Sequence, residues 1–226
     1  MIKVNNNDLT HISAAKPRSR RLPTLLTATI LTLLKPRLKR LLYPIAAKLA
    51  RLGITANQVT LTSLAGSIAV GALLCVFPAE PALFAILPVW LVARTACASL
   101  DGTLAVEFGQ KSRFGGVLNE VGDLLSEIAL FLPLASIPSI SRIEVSVLIA
   151  LVVLSELAGL IGLKFGNRRH VEGPFGKADR SVFLSTLSVA VAILSMPPHT
   201  MSIVLQMACL GAVITAWNRL LLAAED

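Results

Sequence analysis

Residues 98–127 read ASLDGTLAVEFGQKSRFGGVLNEVGDLLSE, and this stretch decides the fold. An apolar run ends with Asp101 and its neighbours, and after a short polar turn a second run carries Glu120, Asp123 and Glu127. Charged side chains are costly inside a membrane, and where they occur they usually mark function. The short turn predicts that the two runs form antiparallel, neighbouring helices. The stretch therefore predicts a helical membrane fold with a functional site between two of its helices.

The composition of the whole chain also favours a membrane protein. Of the 226 residues, 54% are hydrophobic and 15% are charged, and the mean hydropathy is +0.74. A soluble domain is about 25% charged. Because this chain has too little polar surface to cover a soluble fold, a bilayer is the solvent that suits it.

The positive charge of the chain does not indicate a nucleic-acid partner. The net charge is +8, but eleven of the 21 Lys and Arg residues lie before Leu52, and the chain has one Tyr and two Trp. Single-stranded nucleic acids are bound by aromatic side chains that stack on the bases. Basic segments beside apolar spans are instead typical of proteins that follow the positive-inside rule and contact anionic lipids.

Three regions follow from these patterns, and together they predict an all-α, polytopic membrane protein. Residues 1–22 are basic and expected to be disordered, and residues 23–52 form an amphipathic juxtamembrane helix that Pro36 and Pro44 interrupt. Residues 53–226 then hold six transmembrane helices of about 20 residues each. The predicted spans are 57–77, 82–107, 115–137, 144–166, 180–196 and 201–222.

The distribution of charge predicts which side of the membrane each loop faces. With six spans, the basic N-terminus, Lys111 and the basic run 164–180 lie on one side, and Arg142 is the only Lys or Arg in the loops of the other. Positive residues are concentrated in cytoplasmic loops. The sequence therefore predicts an inner-membrane protein of the bacterial type with both termini in the cytoplasm.

Helical spacing brings oxygen-bearing side chains of the acidic stretch onto common faces. Gly115, Asn119, Asp123 and Glu127 recur at steps of four, and Asp101 lies on the preceding helix. Converging oxygen ligands suit a hard divalent cation such as Mg²⁺ or Mn²⁺. The predicted metal ligands are Asp101, Asn119 and Asp123, with Glu120 and Glu127 as further candidates.

The same residues resemble the signature of the CDP-alcohol phosphotransferase (CDP-alcohol phosphatidyltransferase) family. That signature is DxxDGxxAR, eight residues, then GxxxDxxxD, and residues 98–123 match its spacing without gaps. Members also have a surface helix before six spans and often Thr-Pro-Asn at the first span, where this chain has Thr55-Ala56-Asn57. The matched positions are Ala98, Asp101, Gly102, Ala105, Val106, Gly115, Asn119 and Asp123.

Three of these positions depart from the signature. Ala98 replaces the first aspartate, Val106 the arginine and Asn119 the third aspartate. In the family, four carboxylates hold two divalent metals against the CDP diphosphate, and the last aspartate is the proposed general base. The resemblance therefore implies a divergent member with a single or rearranged metal site. A member without catalytic activity is the rival interpretation.

The resemblance also implies a function and the roles of several residues. It implies an enzyme that transfers a phosphatidyl or similar group from a CDP-linked donor, such as CDP-diacylglycerol, to an alcohol, with release of CMP in phospholipid synthesis. Asp101 and Asp123 would be catalytic, and members are commonly homodimers. The residues that would shape the CDP pocket are Gly102, Ala105, Gly115 and Asn119.

A second informative segment is the glycine-rich loop 166–180, on the same side as the acidic stretch. It resembles the loop of family members that use a phosphorylated acceptor, and Arg168, Lys177 and Arg180 would bind the phosphate. Glu156, in the middle of the fourth span, is interpreted as structural, and Arg94 as the partner of a nearby acid. Two rival functions stay open, a non-catalytic membrane protein that binds lipid or nucleotide, and a small transporter.

Overall fold

The computed structural model describes residues 30–165, 169–171, 173–194 and 197–225. These residues form seven α-helices and two short 3₁₀ helices, with no strand among them. The first three α-helices are α1 Ile30–Arg51, α2 Ala56–Val76 and α3 Ile86–Glu107. The other four are α4 Arg113–Phe131, α5 Arg142–Phe165, α6 Lys177–Ile193 and α7 Pro198–Glu225. One 3₁₀ helix, Pro81–Ala85, leads into α3, and the other, Leu132–Ser136, follows α4.

Four of the helical segments are long and apolar enough to cross a membrane. They are Ala56–Val76, Pro81–Glu107, Arg142–Leu163 and Pro198–Ala224. Of the other two predicted spans, α4 carries one basic and three acidic residues in 19, and α6 has only 17 residues. The all-α membrane architecture is thus confirmed, whereas the count of six spans rests on these two helices and stays a prediction.

Many large apolar side chains point outward from the spans, as expected of a surface in contact with lipid. Val89 and Val92 of α3 are 70% and 73% exposed, and Trp217 of α7 is 57% exposed. Scattered exposed apolar residues are ordinary, but rows of them on long helices suit a hydrocarbon solvent. The buried core between the helices is also apolar and includes Leu74, Leu87 and Leu148.

The helix α1 lies where the amphipathic segment was predicted, but it is not interrupted. Residues 30–51 are helical without a break, and Pro36 and Pro44 both lie inside the helix. A proline removes one backbone hydrogen bond from a helix, at a cost of about 3 kcal/mol. Packing of α1 along α3 offsets that cost, and Lys39 of α1 also forms an ion pair with Glu107 of α3 at 2.7 Å.

Local sequence signals explain where the helices around the site begin and end. The Thr55 hydroxyl accepts a hydrogen bond from the backbone N–H of Gln58, and the Gln58 side chain bonds the Thr55 backbone in return, which caps α2. Ser112 caps α4 through one hydrogen bond, which its hydroxyl oxygen accepts from the backbone N–H of Gly115. Gly53 and Gly109 follow α1 and α3 with φ angles of 74° and 69°, a conformation that favours glycine.

The helix α2 holds α3 and α4 in place. It packs extensively on both, whereas α3 and α4 are not among the closely packed pairs of the described residues. The predicted neighbours α3 and α4 meet through side chains such as those of Arg94 and Asp123, and α2 uses small residues to approach each of them. A Cβ added to Gly71 would lie 2.1 Å from the carbonyl oxygen of Ala129 in α4, and one added to Gly66 would overlap Trp90 of α3.

Candidate active site

Asp101 lies in the last part of α3 and faces α2. Its side chain is nearly buried, and the hydroxyl oxygen of Thr60 in α2 lies 2.8 Å from its Oδ2 atom. A hydroxyl donor compensates a carboxylate for part of the water that it loses on burial. Thr60 is itself buried, and it lies near the start of α2. The position of Asp101 therefore depends on the packing of α2 on α3.

Asp123 lies in the middle of α4 and is bound by two cationic side chains. Arg94 of α3 donates from Nη2 to the Oδ1 atom of Asp123 at 3.0 Å and to its backbone carbonyl at 3.0 Å. The ammonium group of Lys177, the first residue of α6, pairs with the Oδ2 atom. The sequence interpretation of Arg94 as the partner of an acid is thus confirmed. Asp123 therefore joins α3, α4 and α6.

A partly open cleft beside Asp123 contains about 510 Å³ of empty space, including its mouth. Leu157 and Leu160 of α5 line its apolar part. The charged residues that line it are Glu120, Asp123, Glu127, Glu156, Arg169 and Lys177. The fourth predicted span, α5, packs against α4 and presents this face to the cleft.

Glu156 is the centre of a buried network of ion pairs. Its carboxylate pairs with Arg169 at 2.7 Å, with Arg180 at 2.5 Å and with Arg219 at 3.1 Å. Arg180 also pairs with Glu127 at 3.0 Å and is 1% exposed. Buried charges persist in a protein when they are paired and hydrogen-bonded. This network links α4, α5, α6, α7 and the segment 169–171 around the cleft.

The predicted metal ligands do not form one cluster. Asp101 and Asp123 have the partners given above, Glu120 pairs with Arg169, and Glu127 pairs with Arg180. Within the described ranges no three His, Cys, Asp or Glu side chains come together so as to hold a metal ion. The residues therefore do not fit a site with two divalent cations. Asp101, Asn119 and Asp123 stay the predicted oxygen donors for a divalent cation.

The other predicted site residues have different surroundings. Asn119 and Ala105 are half-buried, Gly102 is exposed, and a Cβ at Gly115 would lie 2.6 Å from Oδ1 of Asn57. Glycine at 115 thus leaves room for the side chain of Asn57 in α2. Of the predicted phosphate-binding residues, Arg168 lies outside the described residues. Lys177 lines the cleft, and Arg180 lies in the core.

Sequence reasoning did not identify Thr60, Arg169 and Arg219 as parts of the site. Arg169 lies in the basic run 164–180 and Arg219 near the end of the last predicted span, and each pairs with Glu156. Glu156 was itself the available signal, because an acid in the middle of an apolar span requires a cationic or polar partner. Thr60 gave no comparable signal, since threonine is common in apolar helices.

Comparison with known proteins agrees with this architecture. Residues 53–220 match the model of the CDP-alcohol phosphatidyltransferase family, and the chain belongs to that family of membrane phosphotransferases. The resemblance deduced from the signature is thus confirmed. The chain is also 37% identical over 196 residues to the inner membrane protein YnbA of Escherichia coli (strain K12), which covers 85% of this chain and 97% of YnbA.

Solved structures with the same fold come from Mycobacterium tuberculosis. Phosphatidylinositol phosphate synthase (PgsA1) with CDP-DAG bound is 23% identical, with a TM-score of 0.64 over 80% of this chain and 92% of that one. The same enzyme in complex with manganese and citrate is 24% identical, with a TM-score of 0.63 over 78% of this chain and 86% of that one. At these identities the likeness establishes the fold.

Proposed function

We propose that this protein transfers a phosphatidyl or similar phosphoryl-linked group from a CDP-linked donor, such as CDP-diacylglycerol, to an unidentified alcohol, with release of CMP. The observation that carries the proposal is the position of Asp123 on α4, where this signature residue lines a cleft, with the second signature residue, Asp101, on α3. The solved relative that carries CDP-DAG supports a donor of this kind. The reaction belongs to phospholipid synthesis.

In the proposed reaction the protein positions groups and moves one proton. The alcohol oxygen forms a bond to the donor's lipid-side phosphorus, and the bond from that phosphorus to the CMP oxygen breaks. Asp123 takes the alcohol proton, and Asp101 helps to hold the diphosphate. Gly102, Ala105, Gly115 and Asn119, at the signature positions, would shape the pocket for the nucleotide. Reactions of this type depend on alignment and on charge neutralisation more than on covalent help from the protein.

The proposed cofactor is a divalent cation, Mg²⁺ or Mn²⁺. The manganese complex of PgsA1 supports a role for such an ion in the family. When bound, the ion would supply positive charge against the diphosphate. Asp101, Asn119 and Asp123 are the residues that would hold it, with Glu120 and Glu127 engaged by arginines.

The acceptor, the membrane and the oligomeric state complete the proposal. Arg168, Lys177 and Arg180 are proposed to serve a phosphorylated acceptor, and Lys177 lines the cleft. We also propose six spans, with α4 and α6 crossing inside the bundle where their charges are paired. The inner-membrane location follows the name of the YnbA relative. We propose a homodimer because members of the family are commonly homodimers.

Release of CMP by the purified protein tests the function. We expect wild-type protein, mixed with CDP-diacylglycerol, candidate alcohols and Mn²⁺, to release CMP, and Asp123→Asn to lose at least about a hundredfold in rate, as the loss of a general base would. The matched control is Glu80→Gln, an exposed acid before the 3₁₀ helix Pro81–Ala85, which should keep the wild-type rate.

A second candidate function is binding of lipid or nucleotide without turnover. It is favoured by the two cations that already neutralise Asp123, Arg94 and Lys177. Saturable binding of a CDP-linked lipid without CMP release from any alcohol, in protein that stays monodisperse, would contradict the transferase and support this alternative.

A further inference from the structure

Both carboxylate oxygens of Asp123 are occupied by cations that the chain itself supplies. Arg94 holds Oδ1 at 3.0 Å, and Lys177 holds Oδ2. The charges of the same two residues lie close enough to Asp101 to interact with it as well. The positive charges of Arg94 and Lys177 therefore lie at the signature acid Asp123.

The acids at the site are already paired with cations of the chain. Apart from Lys39–Glu107, the ion pairs given above for the described residues join four acids to five cations, and Asp101 is a fifth acid beside them. The acids are Asp101, Glu120, Asp123, Glu127 and Glu156, and the cations are Arg94, Arg169, Lys177, Arg180 and Arg219. Two dications would add four uncompensated charges to a region of low dielectric constant, where repulsion is strong.

The two partners of Asp123 differ in their freedom to move. The side chain of Arg94 is 7% exposed and also bonds the Asp123 backbone, which fixes it to α4. The side chain of Lys177 is 37% exposed and lines the cleft. A lysine is a point charge on a flexible stem of four carbons, so its ammonium group can leave one oxygen for another at small cost.

We propose that the ammonium group of Lys177 takes the place of one divalent cation at Asp123, so that this chain binds a single divalent cation and not two. The inference deepens the proposed function and rests on it for the metal itself. In the reaction, Lys177 would supply part of the positive charge that the donor's diphosphate requires. Ala98 and Asn119, where the signature has aspartates, fit the same arrangement, since a lysine at one cation position removes the need for two of the acids.

Equilibrium binding of Mn²⁺ to the full-length protein in lipid nanodiscs, followed by electron paramagnetic resonance, tests the inference. We expect one Mn²⁺ per wild-type chain, and about tenfold tighter binding in Lys177→Met, because a like charge leaves the site and Asp123 becomes free. Lys177→Arg keeps the charge and should bind as wild type. Lys111→Met, at an exposed lysine in the turn between α3 and α4, is the matched control for the lost charge.

A triple variant tests the stoichiometry directly. Ala98→Asp, Asn119→Asp and Lys177→Met together restore the signature acids and remove the cation, and we expect two Mn²⁺ per chain. Two ions in the wild type, or equal affinity in wild type and Lys177→Met, would overturn the inference, as would no Mn²⁺ binding in either. The Mn²⁺ binding assay contains neither nucleotide nor alcohol, so its result does not depend on turnover. A protein that binds one Mn²⁺ but releases no CMP would therefore contradict the proposed function and leave this inference standing.

Discussion

The carboxylate of Glu156 meets three guanidinium groups, from Arg169, Arg180 and Arg219, and each lies on a different segment of the chain. Of these segments, α7 also packs extensively on α5, the helix that carries Glu156. In a region of low dielectric constant, each arginine depends on the acid to offset the loss of its water. At the scale of single residues, the walls of the cleft are thus fixed by charge as much as by apolar packing.

Removal of this one charge should destabilise the protein strongly. Glu156→Gln keeps the shape of the side chain but leaves three buried or partly buried arginines short of a counter-charge, and we expect a loss of about 3–5 kcal/mol. The measurement is thermal unfolding in detergent, followed by the loss of the monodisperse peak. Glu144→Gln, on the same helix, is the control, because the partners of Glu144 are the neutral Ser202 and Gln206. An equal loss in both variants would contradict the role of charge.

At the scale of elements, the small residues of α2 decide how the site is assembled. Gly66 accommodates Trp90 of α3, and Gly71 accommodates the backbone of Ala129 in α4. The Trp90 indole also donates to Ser67 at 3.1 Å. Helices in membranes associate through close packing of small residues, since lipid tails provide no hydrophobic drive. The distance between Asp101 and Asp123 is thus set by a helix that carries neither.

A methyl group at Gly71 should separate α2 from α4. The new Cβ would lie 2.1 Å from the backbone oxygen of Ala129, and backbone cannot move aside as a side chain can. We expect Gly71→Ala to lower stability by about 1–3 kcal/mol or more and to reduce CMP release with it. Gly116→Ala, in α4, is the control, because nothing lies within 4 Å of the added Cβ. It should be neutral or slightly stabilising, and a comparable loss there would refute the packing argument.

At the scale of the whole molecule, the charged loops and the acidic site are expected at the same membrane face. The basic residues flanking the spans gather on one side under the six-span arrangement, and Lys177 carries that charge into the cleft. Positive residues are retained on the cytoplasmic side during insertion. A soluble nucleotide-bearing head group and its lipid tails could then meet the site from that face.

Cysteine labelling in intact cells tests this orientation. In a background with Cys75, Cys97 and Cys209 replaced by serine, we expect Ser141→Cys to react with a membrane-impermeant maleimide in intact spheroplasts. Lys111→Cys, exposed in the turn between α3 and α4, should react only after the membrane is opened. Labelling of both positions in intact spheroplasts would mean that the two turns share the outer side, and the six-span arrangement would be wrong.

By itself the sequence determined the membrane class, the helices and the family. Apolar runs of bilayer length predict spans, caps such as Thr55 and Ser112 mark helix starts, and the spacing of Asp101 and Asp123 is a local property of two helices. These features depend on residues close together in the chain, so a single sequence contains them. The predicted interruption of α1 at its prolines was wrong because the packing of α1 on α3 offsets the cost of the lost backbone hydrogen bonds.

Only the tertiary structure decided which charges meet. Lys177 lies 54 residues from Asp123, and Arg219 lies 63 residues from Glu156. No spacing rule links such distant positions, because their approach depends on how α2 packs on α3 and α4 and how α6 and α7 pack in the bundle. The sequence therefore showed that two acids of the signature were missing. The tertiary structure showed that two cationic side chains, Arg94 and Lys177, pair with Asp123, one of the signature acids that remain.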